Sequence, residues 1–75
     1  MKFYMTLGQG QPYYPGYFVC EANDEYEAMR MTAKALNGRW CSTHDRLETV
    51  HHLDRIYRGV ITEEGINECD AEHMK

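Results

Sequence analysis

A nine-residue loop rich in glycine and proline separates the first two segments of the chain, and it constrains the fold more than any other feature. The loop spans residues 8–16 and holds the adjacent aromatics Tyr13 and Tyr14. Its flanks, residues 2–7 and 17–22, alternate apolar and polar side chains with the period typical of half-buried strands. We therefore predict an antiparallel hairpin whose connection is longer than a tight turn. Long loops that present aromatic side chains often form recognition surfaces.

The length of the chain bounds the size of its core. Seventy-five residues form one domain, and a core of that size leaves a net stability of only about 3–5 kcal/mol, so a homodimer or another partner is a reasonable expectation. The hydrophobic fraction of 43% and the charged fraction of 27% are those of a folded protein. No apolar run approaches the ~20 residues that span a membrane, and the N-terminus lacks the build of a signal peptide. The expected location is the cytoplasm.

Charge is distributed unevenly along the sequence. The net charge is −4, and residues 63–75 alone account for it, because five acidic residues there accompany a single lysine. We predict a single domain over residues 1–62, followed by an acidic tail over residues 63–75 that is disordered or forms a short helix. The nearly neutral body argues against a strongly basic nucleic-acid binder.

One helix has clear start and stop signals. Asp24 followed by Glu27 forms a capping-box pattern, and the acidic residues of the first turn suit the positive end of the helix dipole. Apolar residues then recur at helical spacing until Asn37-Gly38, which ends the helix, and we expect Gly38 to supply the left-handed cap.

The second half of the chain predicts two more strands. The first covers residues 39–44 and is centred on Trp40, which we expect in the core, and the second covers residues 54–62. Gly59 marks a bulge or a close approach within the second of these strands. Residues 45–53 are expected to form a loop or a single helical turn. The predicted fold class is α+β: a small, four-stranded, largely antiparallel sheet in β-β-α-β-β order, with one helix packed on one face.

A single helix leaves the other face of this sheet to water or to a partner. The alternation places Phe3, Met5, Phe18 and Cys20 under the helix. The residues expected on the open face are Tyr4, Tyr17 and Val19, joined by Tyr57. Such an aromatic patch favours an interface. The alternative is that these tyrosines are ordinary cross-strand pairs with hydrated hydroxyl groups.

The sequence contains residue types that bind metals or act in catalysis, but their spacing fits neither a metal site nor a catalytic site. The histidines and cysteines lack the short paired spacings of a structural zinc site, so we predict no metal and no cofactor. Residues 41–45 contain nucleophile and base types, but consecutively, whereas catalytic triads draw on separate elements. Three cysteines exclude a complete disulfide framework, and Cys20 and Cys41 are expected to be buried in strands as small apolar side chains. We therefore predict that the protein is not an enzyme.

The class that remains is a protein-binding module, which needs aromatic and arginine anchors on a rigid scaffold. The predicted contact residues are Tyr13 and Tyr14 in the loop, Tyr4, Tyr17 and Tyr57 on the open face, and Arg55 and Arg58 at the rim. The alternative is a single-stranded nucleic-acid binder that stacks bases on the same tyrosines, although the net charge opposes it. A third hypothesis is self-association through the open face.

The layout of the chain resembles that of small phage-encoded proteins. A strand ends in Glu21-Ala22, an acidic cap opens a helix containing Glu27-Ala28, and a Gly38-Arg39-Trp40 strand returns. Some anti-CRISPR proteins are similar in size and in β-β-α-β-β order, and the resemblance covers roughly residues 2–61. It implies a stoichiometric inhibitor that binds a host defence or regulatory protein in the host cytoplasm, without turnover. The long loop and the acidic tail depart from this layout.

Overall fold

The computed structural model describes residues 1–67, which form a five-stranded mixed sheet with a helix packed against each face. In chain order the elements are β1 Lys2–Thr6, β2 Gly16–Glu21, α1 Glu25–Leu36, β3 Ser42–His44, α2 Leu47–His52, β4 Ile56–Thr62 and β5 Gly65–Asn67. Across the sheet the strands lie in the order β3-β1-β2-β4-β5. The small α+β class is confirmed, while the predicted four strands and one helix are corrected to five strands and two helices among the described residues.

Most pairings in the sheet are antiparallel. β1 pairs antiparallel with β2, as the alternation on both sides of the long loop predicts. β3 and β5 pair antiparallel with β1 and β4 respectively. The exception is β4, which lies parallel to β2 in the middle of the sheet. This long-range pairing makes the sheet mixed, and no pattern within either strand indicates it.

Helix α1 has the predicted capping box at its start, whereas its left-handed C-cap is Asn37, one residue before the predicted Gly38. The Asp24 carboxylate accepts a hydrogen bond from the Glu27 backbone N–H at 2.8 Å, and the Glu27 carboxylate accepts one from the Asn23 N–H at 3.1 Å. At the other end Asn37 adopts the left-handed conformation with φ 54°, and the Gly38 N–H donates to the Ala33 carbonyl. The boundaries of α1 are therefore fixed by local chemistry.

The main core lies between α1 and the sheet. Phe3, Met5, Phe18 and Cys20 are buried there, as predicted. Trp40 packs against the edge of this core and is half-buried. Trp40 lies outside the sheet, because β3 begins only at Ser42. Before Ser42, the chain is joined to β1 by a hydrogen bond from the Cys41 N–H to the Thr6 carbonyl.

A bulge in β4 sets which side chains face the core. Tyr57 lies opposite Tyr17 and Gly59 opposite Phe18, so Arg58 is the extra residue. The irregularity predicted at Gly59, a bulge or a close approach, is a bulge whose extra residue is the preceding Arg58. The shift places Ile61 in the core and turns Tyr57 toward the other face of the sheet.

The second face of the sheet is partly covered by α2. Val50 of this helix is fully buried, and the His51 ring lies edge-on to the Tyr17 ring at 6.0 Å between centroids. The sequence assigned this segment to a loop or a single turn, and a helix of six residues is too short to show a clear period. The expectation of a wholly open face is therefore wrong.

Strand β5 lies within the stretch that the sequence assigned to an acidic tail. Gly65–Asn67 pairs with β4, and Ile66 packs against the edge of the core. The sheet thus continues to residue 67, past the predicted domain end at residue 62. The rest of the predicted tail, residues 68–75, lies outside the described residues.

Candidate protein-interaction site

The loop between β1 and β2 has internal hydrogen bonds. The Gln11 N–H donates to the Gly8 carbonyl at 3.1 Å, and the Tyr14 N–H donates to the Gln11 carbonyl at 3.3 Å. Tyr13 lies in the left-handed region with φ 68°, which is uncommon for a residue with a large side chain. The peptide bond between Tyr14 and Pro15 is cis. The two internal hydrogen bonds define the conformation of the loop, and contacts with Phe18 of β2, Arg58 of β4 and Arg55 hold it in place.

Tyr13 is fixed from both sides. Its ring packs edge-on against Phe18 with 5.4 Å between centroids, and its side chain is still 40% exposed. Its carbonyl accepts a hydrogen bond from Arg58 Nε at 3.1 Å. The hydrogen bond between Arg58 and the Tyr13 carbonyl requires glycine at position 16. A Cβ at Gly16 would lie 2.4 Å from both the Tyr13 carbonyl oxygen and Arg58 Cγ.

Tyr14 contacts Arg55, which is the residue just before β4. The guanidinium carbon of Arg55 lies 5.1 Å from the centroid of the Tyr14 ring, within the range of a cation–π contact. Arg55 Nη1 also donates to the Leu7 carbonyl at 2.6 Å, which ties this contact to the end of β1. Tyr14 as a whole is 43% exposed.

Both arginines that the sequence predicts at the rim of the interface contact the loop. Arg55 and Arg58 were expected as anchors at the rim of an interface, but both are half-buried and donate to carbonyls that flank or form the loop. The reason is the bulge in β4 and its parallel pairing with β2, which bring this end of β4 beside the loop. They position Tyr13 and Tyr14.

The strand tyrosines form a separate group on the α2 side of the sheet. Tyr17 lies between Tyr4 and Tyr57, with ring centroids at 6.1 Å and 5.8 Å. The alternation correctly places all three on one face. Tyr17 is only 6% exposed, however, because α2 covers it with His51. Burial raises the pKa of the Tyr17 phenol above its ordinary value, and the two neighbouring phenols raise it further.

A groove of about 250 Å³ lies beside Tyr13, between the loop and the end of α1. Its lining includes Leu7, Pro12, Leu36 and Arg39, together with Ile66 from β5. The sequence analysis missed this site, because Ile66 was assigned to the tail and Arg39 to a strand. The left-handed cap at Asn37 is the one sequence signal that places Arg39 at a turn rather than inside a sheet.

The acidic side chains among the described residues lie away from the groove beside Tyr13. Asp24, Glu25 and Asp45 line a second groove, of about 520 Å³, together with Met1 and His44. Glu63 pairs with Arg30 on the surface, and the hydrogen bond between them lowers the pKa of the Glu63 carboxyl. No acidic side chain within the described residues lines the groove beside Tyr13.

Among the described residues, Thr6 and His44 form a contact between side chains of types that occur in catalysis. His44 Nε2 lies 3.3 Å from Thr6 Oγ1, but Thr6 is 1% exposed and out of reach of a substrate. Cys20 is buried as expected, whereas Cys41 is exposed, because it precedes β3 instead of lying inside a strand. Within residues 1–67 no group of three or more His, Cys, Asp or Glu side chains could hold a metal ion. No helix in that part of the chain is long and apolar enough to cross a membrane.

Comparison with known proteins gives no relative: no protein-family model, no curated protein and no solved structure matches this chain.

Proposed function

We propose that this protein is a non-enzymatic protein-binding module that contacts its partner through Tyr13 and Tyr14. One observation carries the proposal: two tyrosines, each about two-fifths exposed, lie on a loop that two arginine side chains contact. Tyrosine is enriched among residues that dominate binding energy. A loop ordered before binding loses less conformational entropy when the partner docks, so more of the contact energy contributes to affinity.

Tyr4 and Tyr57 belong to a second surface. Both are half-buried on the α2 side of the sheet, on either side of the covered Tyr17. Tyr13 packs against Phe18, which faces α1, so the two groups of tyrosines lie on different sides of the sheet. We assign the primary contact to the loop, because its rings are the more exposed.

The class of partner rests on the resemblance to small phage-encoded proteins. On that basis the partner is a host defence or regulatory protein, and binding blocks it stoichiometrically in the host cytoplasm. The resemblance is one of size and element layout, so this part of the proposal stays a prediction. Stoichiometric action agrees with the binding mode proposed for the loop, which requires no catalytic group.

The observed positions weaken the alternative of a single-stranded nucleic-acid binder. Tyr17, the central ring of the expected stacking surface, is covered by α2. Arg55 and Arg58, the expected phosphate contacts, donate hydrogen bonds to the backbone carbonyls of Leu7, just before the loop, and of Tyr13, within it. The net charge of −4 adds repulsion toward phosphates.

The test is affinity capture from a host lysate with three forms of the tagged protein. These are the wild type, a double variant with Tyr13→Ala and Tyr14→Ala, and a control with Tyr26→Ala, whose side chain on α1 is 85% exposed. We expect a protein to co-purify stoichiometrically after nuclease treatment, to be lost with the double variant and to be kept with the control. Thermal unfolding of each form checks that the fold is intact.

Equal capture by the double variant and the wild type would remove the loop from the interface. Loss of all captured material on nuclease treatment would favour the nucleic-acid alternative instead.

A further inference from the structure

We infer that the second groove, at the start of β1, binds an extended, positively charged segment of another protein, which adds to the edge of the sheet beside Lys2. The groove has a volume of about 520 Å³ and lies where β1, the end of β3 and the start of α1 meet. The loop that carries Tyr13 and Tyr14 follows the other end of β1. The inference therefore concerns a separate surface and does not rest on the proposed function.

The edge of the sheet is incomplete at this groove. β3 is the outermost strand on this side, and it pairs only with Tyr4, Met5 and Thr6 of β1. The last residue of β3, His44, lies opposite Tyr4, so no strand among residues 1–67 lies beside Lys2 on this edge. The first two residues of β1 therefore form an open edge, to which another strand can add.

The backbone groups of Lys2 point toward this open edge. The Met1 carbonyl accepts a hydrogen bond from the Ala22 N–H, on the β2 side of the strand. The Thr6 carbonyl accepts one from the Cys41 N–H, on the β3 side. Because successive residues of a strand direct their N–H and C=O groups to opposite edges, Lys2 directs its groups to the same side as Thr6. One donor and one acceptor thus face the position of an added strand.

The groove gives such a segment enough room. Its volume lies within the ~300–1,000 Å³ that is typical of ligand sites. Phe3, which faces α1, lines the groove together with Thr43 of β3 and Thr49 of α2. Since α1 and α2 pack on opposite faces of the sheet, the groove reaches both faces. It is therefore a gap in the edge of the sheet, where an extended chain would continue the line of β3.

Three carboxylates select a positively charged occupant. Asp24 and Glu25 line the groove from the start of α1, and Asp45 lines it from the residue after β3; all three are exposed. No lysine or arginine among residues 1–67 lines the groove. The Met1 ammonium also lies there, but it pairs with Glu21 Oε1 at 3.2 Å. Lysine or arginine side chains complement this charge.

The remaining part of the chain contains too little positive charge to balance these carboxylates. Residues 68–75 contain three acidic residues and a single lysine. That lysine neutralises at most one of the three carboxylates in the groove. The groove therefore keeps a net negative charge that favours a cationic partner.

The start of α1 carries a partial positive charge that opposes this binding. The Asp24 carboxylate accepts a hydrogen bond from the Glu27 N–H at 2.8 Å, and the Glu27 carboxylate accepts one from the Asn23 N–H at 3.1 Å. Both bonds hold a full negative charge at the first turn, which offsets the partial charge of the helix. The charges of Glu25 and Asp45 then add to a negative balance.

An extended protein segment fits these features better than a smaller cation or a second copy of the chain. Within residues 1–67 no group of three or more His, Cys, Asp or Glu side chains could hold a metal ion. A polyamine would pair with the carboxylates but leave the backbone groups of Lys2 unused. A second copy of the groove would bring like charges together. A basic strand pairs with Lys2 through its backbone and reaches the carboxylates with its side chains.

The test is selection from a library of random linear peptides displayed on phage, with the full-length protein as bait. The tag is placed after residue 75, because Met1 lines the groove. We expect the selected peptides to combine Lys or Arg with residues that favour strands, such as Val, Ile and Thr. The dissociation constant of a selected peptide is then measured with purified variants by titration calorimetry.

The charge contribution is tested with a variant that combines Glu25→Gln and Asp45→Asn. We expect its binding to be about fivefold weaker, because an ion pair at an exposed position contributes modestly. The control combines Glu48→Gln and Glu64→Gln, which remove two charges from exposed residues that do not line the groove. Glu48 lies in the first turn of α2 as Glu25 does in that of α1, and the control should leave affinity unchanged.

The backbone contribution is tested with changes in the peptide itself. Two synthetic versions carry N-methyl groups on alternate backbone nitrogens, so each version loses the donors along one of its edges. We expect the version methylated on the edge that faces β1 to bind about fivefold or more weakly. The other version should bind like the unmodified peptide.

Several results would overturn the inference: no enriched peptide, enriched peptides without Lys or Arg, or equal binding by wild type and the variant with Glu25→Gln and Asp45→Asn. Equal binding of both methylated versions and the unmodified peptide would remove the strand from the model of binding. Spermidine that binds as tightly as the peptides would reassign the groove to small cations. A dimer of the protein that this variant abolishes would reassign it to a second copy.

The double variant with Tyr13→Ala and Tyr14→Ala separates this surface from the loop. We expect it to bind the basic peptides as tightly as the wild type does. If the basic peptides need Tyr13 and Tyr14, they bind the loop and the groove inference fails. If partner capture needs the two tyrosines but no basic peptide binds the groove, the proposed function stands without this second surface.

Discussion

At the scale of residues, the loop depends on a few close contacts that local sequence patterns do not show. Arg58 is the bulged residue of β4, and it reaches the Tyr13 carbonyl because β4 lies parallel to β2. Gly16 leaves room for this contact. The sequence predicts Tyr13, Tyr14 and Arg58 as contact residues, but it could not show that Arg58 contacts the Tyr13 carbonyl.

Gly16→Ala tests this support directly. The new Cβ would lie 2.4 Å from the Tyr13 carbonyl oxygen and from Arg58 Cγ, so backbone and side chain must both move. We expect the free energy of unfolding, measured by urea denaturation, to fall by about 1–3 kcal/mol. The control is Gly8→Ala, where the nearest atom would lie 3.4 Å away and belongs to the flexible Gln11 side chain. Equal unfolding free energies of the two variants would mean that the Tyr13 carbonyl and Arg58 do not pack closely against Gly16.

Burial of Tyr17 gives the protein a pH dependence in the alkaline range. The pKa of its phenol is raised in the folded state, so the unfolded chain loses this proton at a lower pH than the folded one. Stability from this group is therefore complete below the ordinary value of about 10 and is lost as pH rises toward the folded pKa. We expect Tyr17→Phe to flatten the fall in unfolding free energy above that pH.

The matched control for the alkaline titration is Tyr26→Phe, because the Tyr26 side chain is 85% exposed on α1. It should leave the pH profile unchanged. A profile of Tyr17→Phe identical to that of the wild type would show that α2 does not cover Tyr17.

At the scale of elements, the predicted parts are those with strong local signals. The hairpin of β1 and β2 follows from alternation, and α1 follows from its capping box and left-handed end. α2 and β5 have six and three residues, too few to show a period; α2 was predicted only as a loop or a single helical turn, and β5 was not predicted. The parallel pairing of β4 with β2 joins residues about 40 positions apart, and no local pattern specifies such a contact. The loop residues of the site could therefore be predicted, and the groove could not.

The covering of the second face by α2 is testable at Val50, the buried residue of that helix. Val50→Ala removes two fully buried methyl groups, so we expect the free energy of unfolding to fall by roughly 1–3 kcal/mol. Leu53→Ala, at the exposed end of the same helix, should change stability by less than about 0.5 kcal/mol. Similar small effects at both positions would mean that α2 does not pack on the sheet.

At the scale of the whole molecule, charge separates the two candidate functions. The net charge is −4, and the arginines near the loop are largely engaged within the protein. A protein interface centred on tyrosines changes little with ionic strength, whereas binding through several phosphate contacts weakens by roughly 10³–10⁵ between 50 and 200 mM salt.

We therefore expect the affinity for the captured partner to change by less than about tenfold over that range of salt. Titration calorimetry at the two salt concentrations measures it. A steep loss of affinity, together with binding of single-stranded oligonucleotides at low salt, would return the nucleic-acid alternative to first place. The hypothesis of self-association through the Tyr4 and Tyr57 surface stays a prediction.

The most direct test of the central claim is the dissociation constant of the captured partner for wild type, Tyr14→Ala and Tyr26→Ala. Tyr14 is held by Arg55 and is 43% exposed, whereas Tyr26 is more exposed and lies on α1, away from the loop. If the ordered loop is the contact surface, Tyr14→Ala weakens binding about tenfold or more, and Tyr26→Ala leaves it unchanged. Equal dissociation constants for wild type and Tyr14→Ala would contradict the claim, whatever the dissociation constant of Tyr26→Ala.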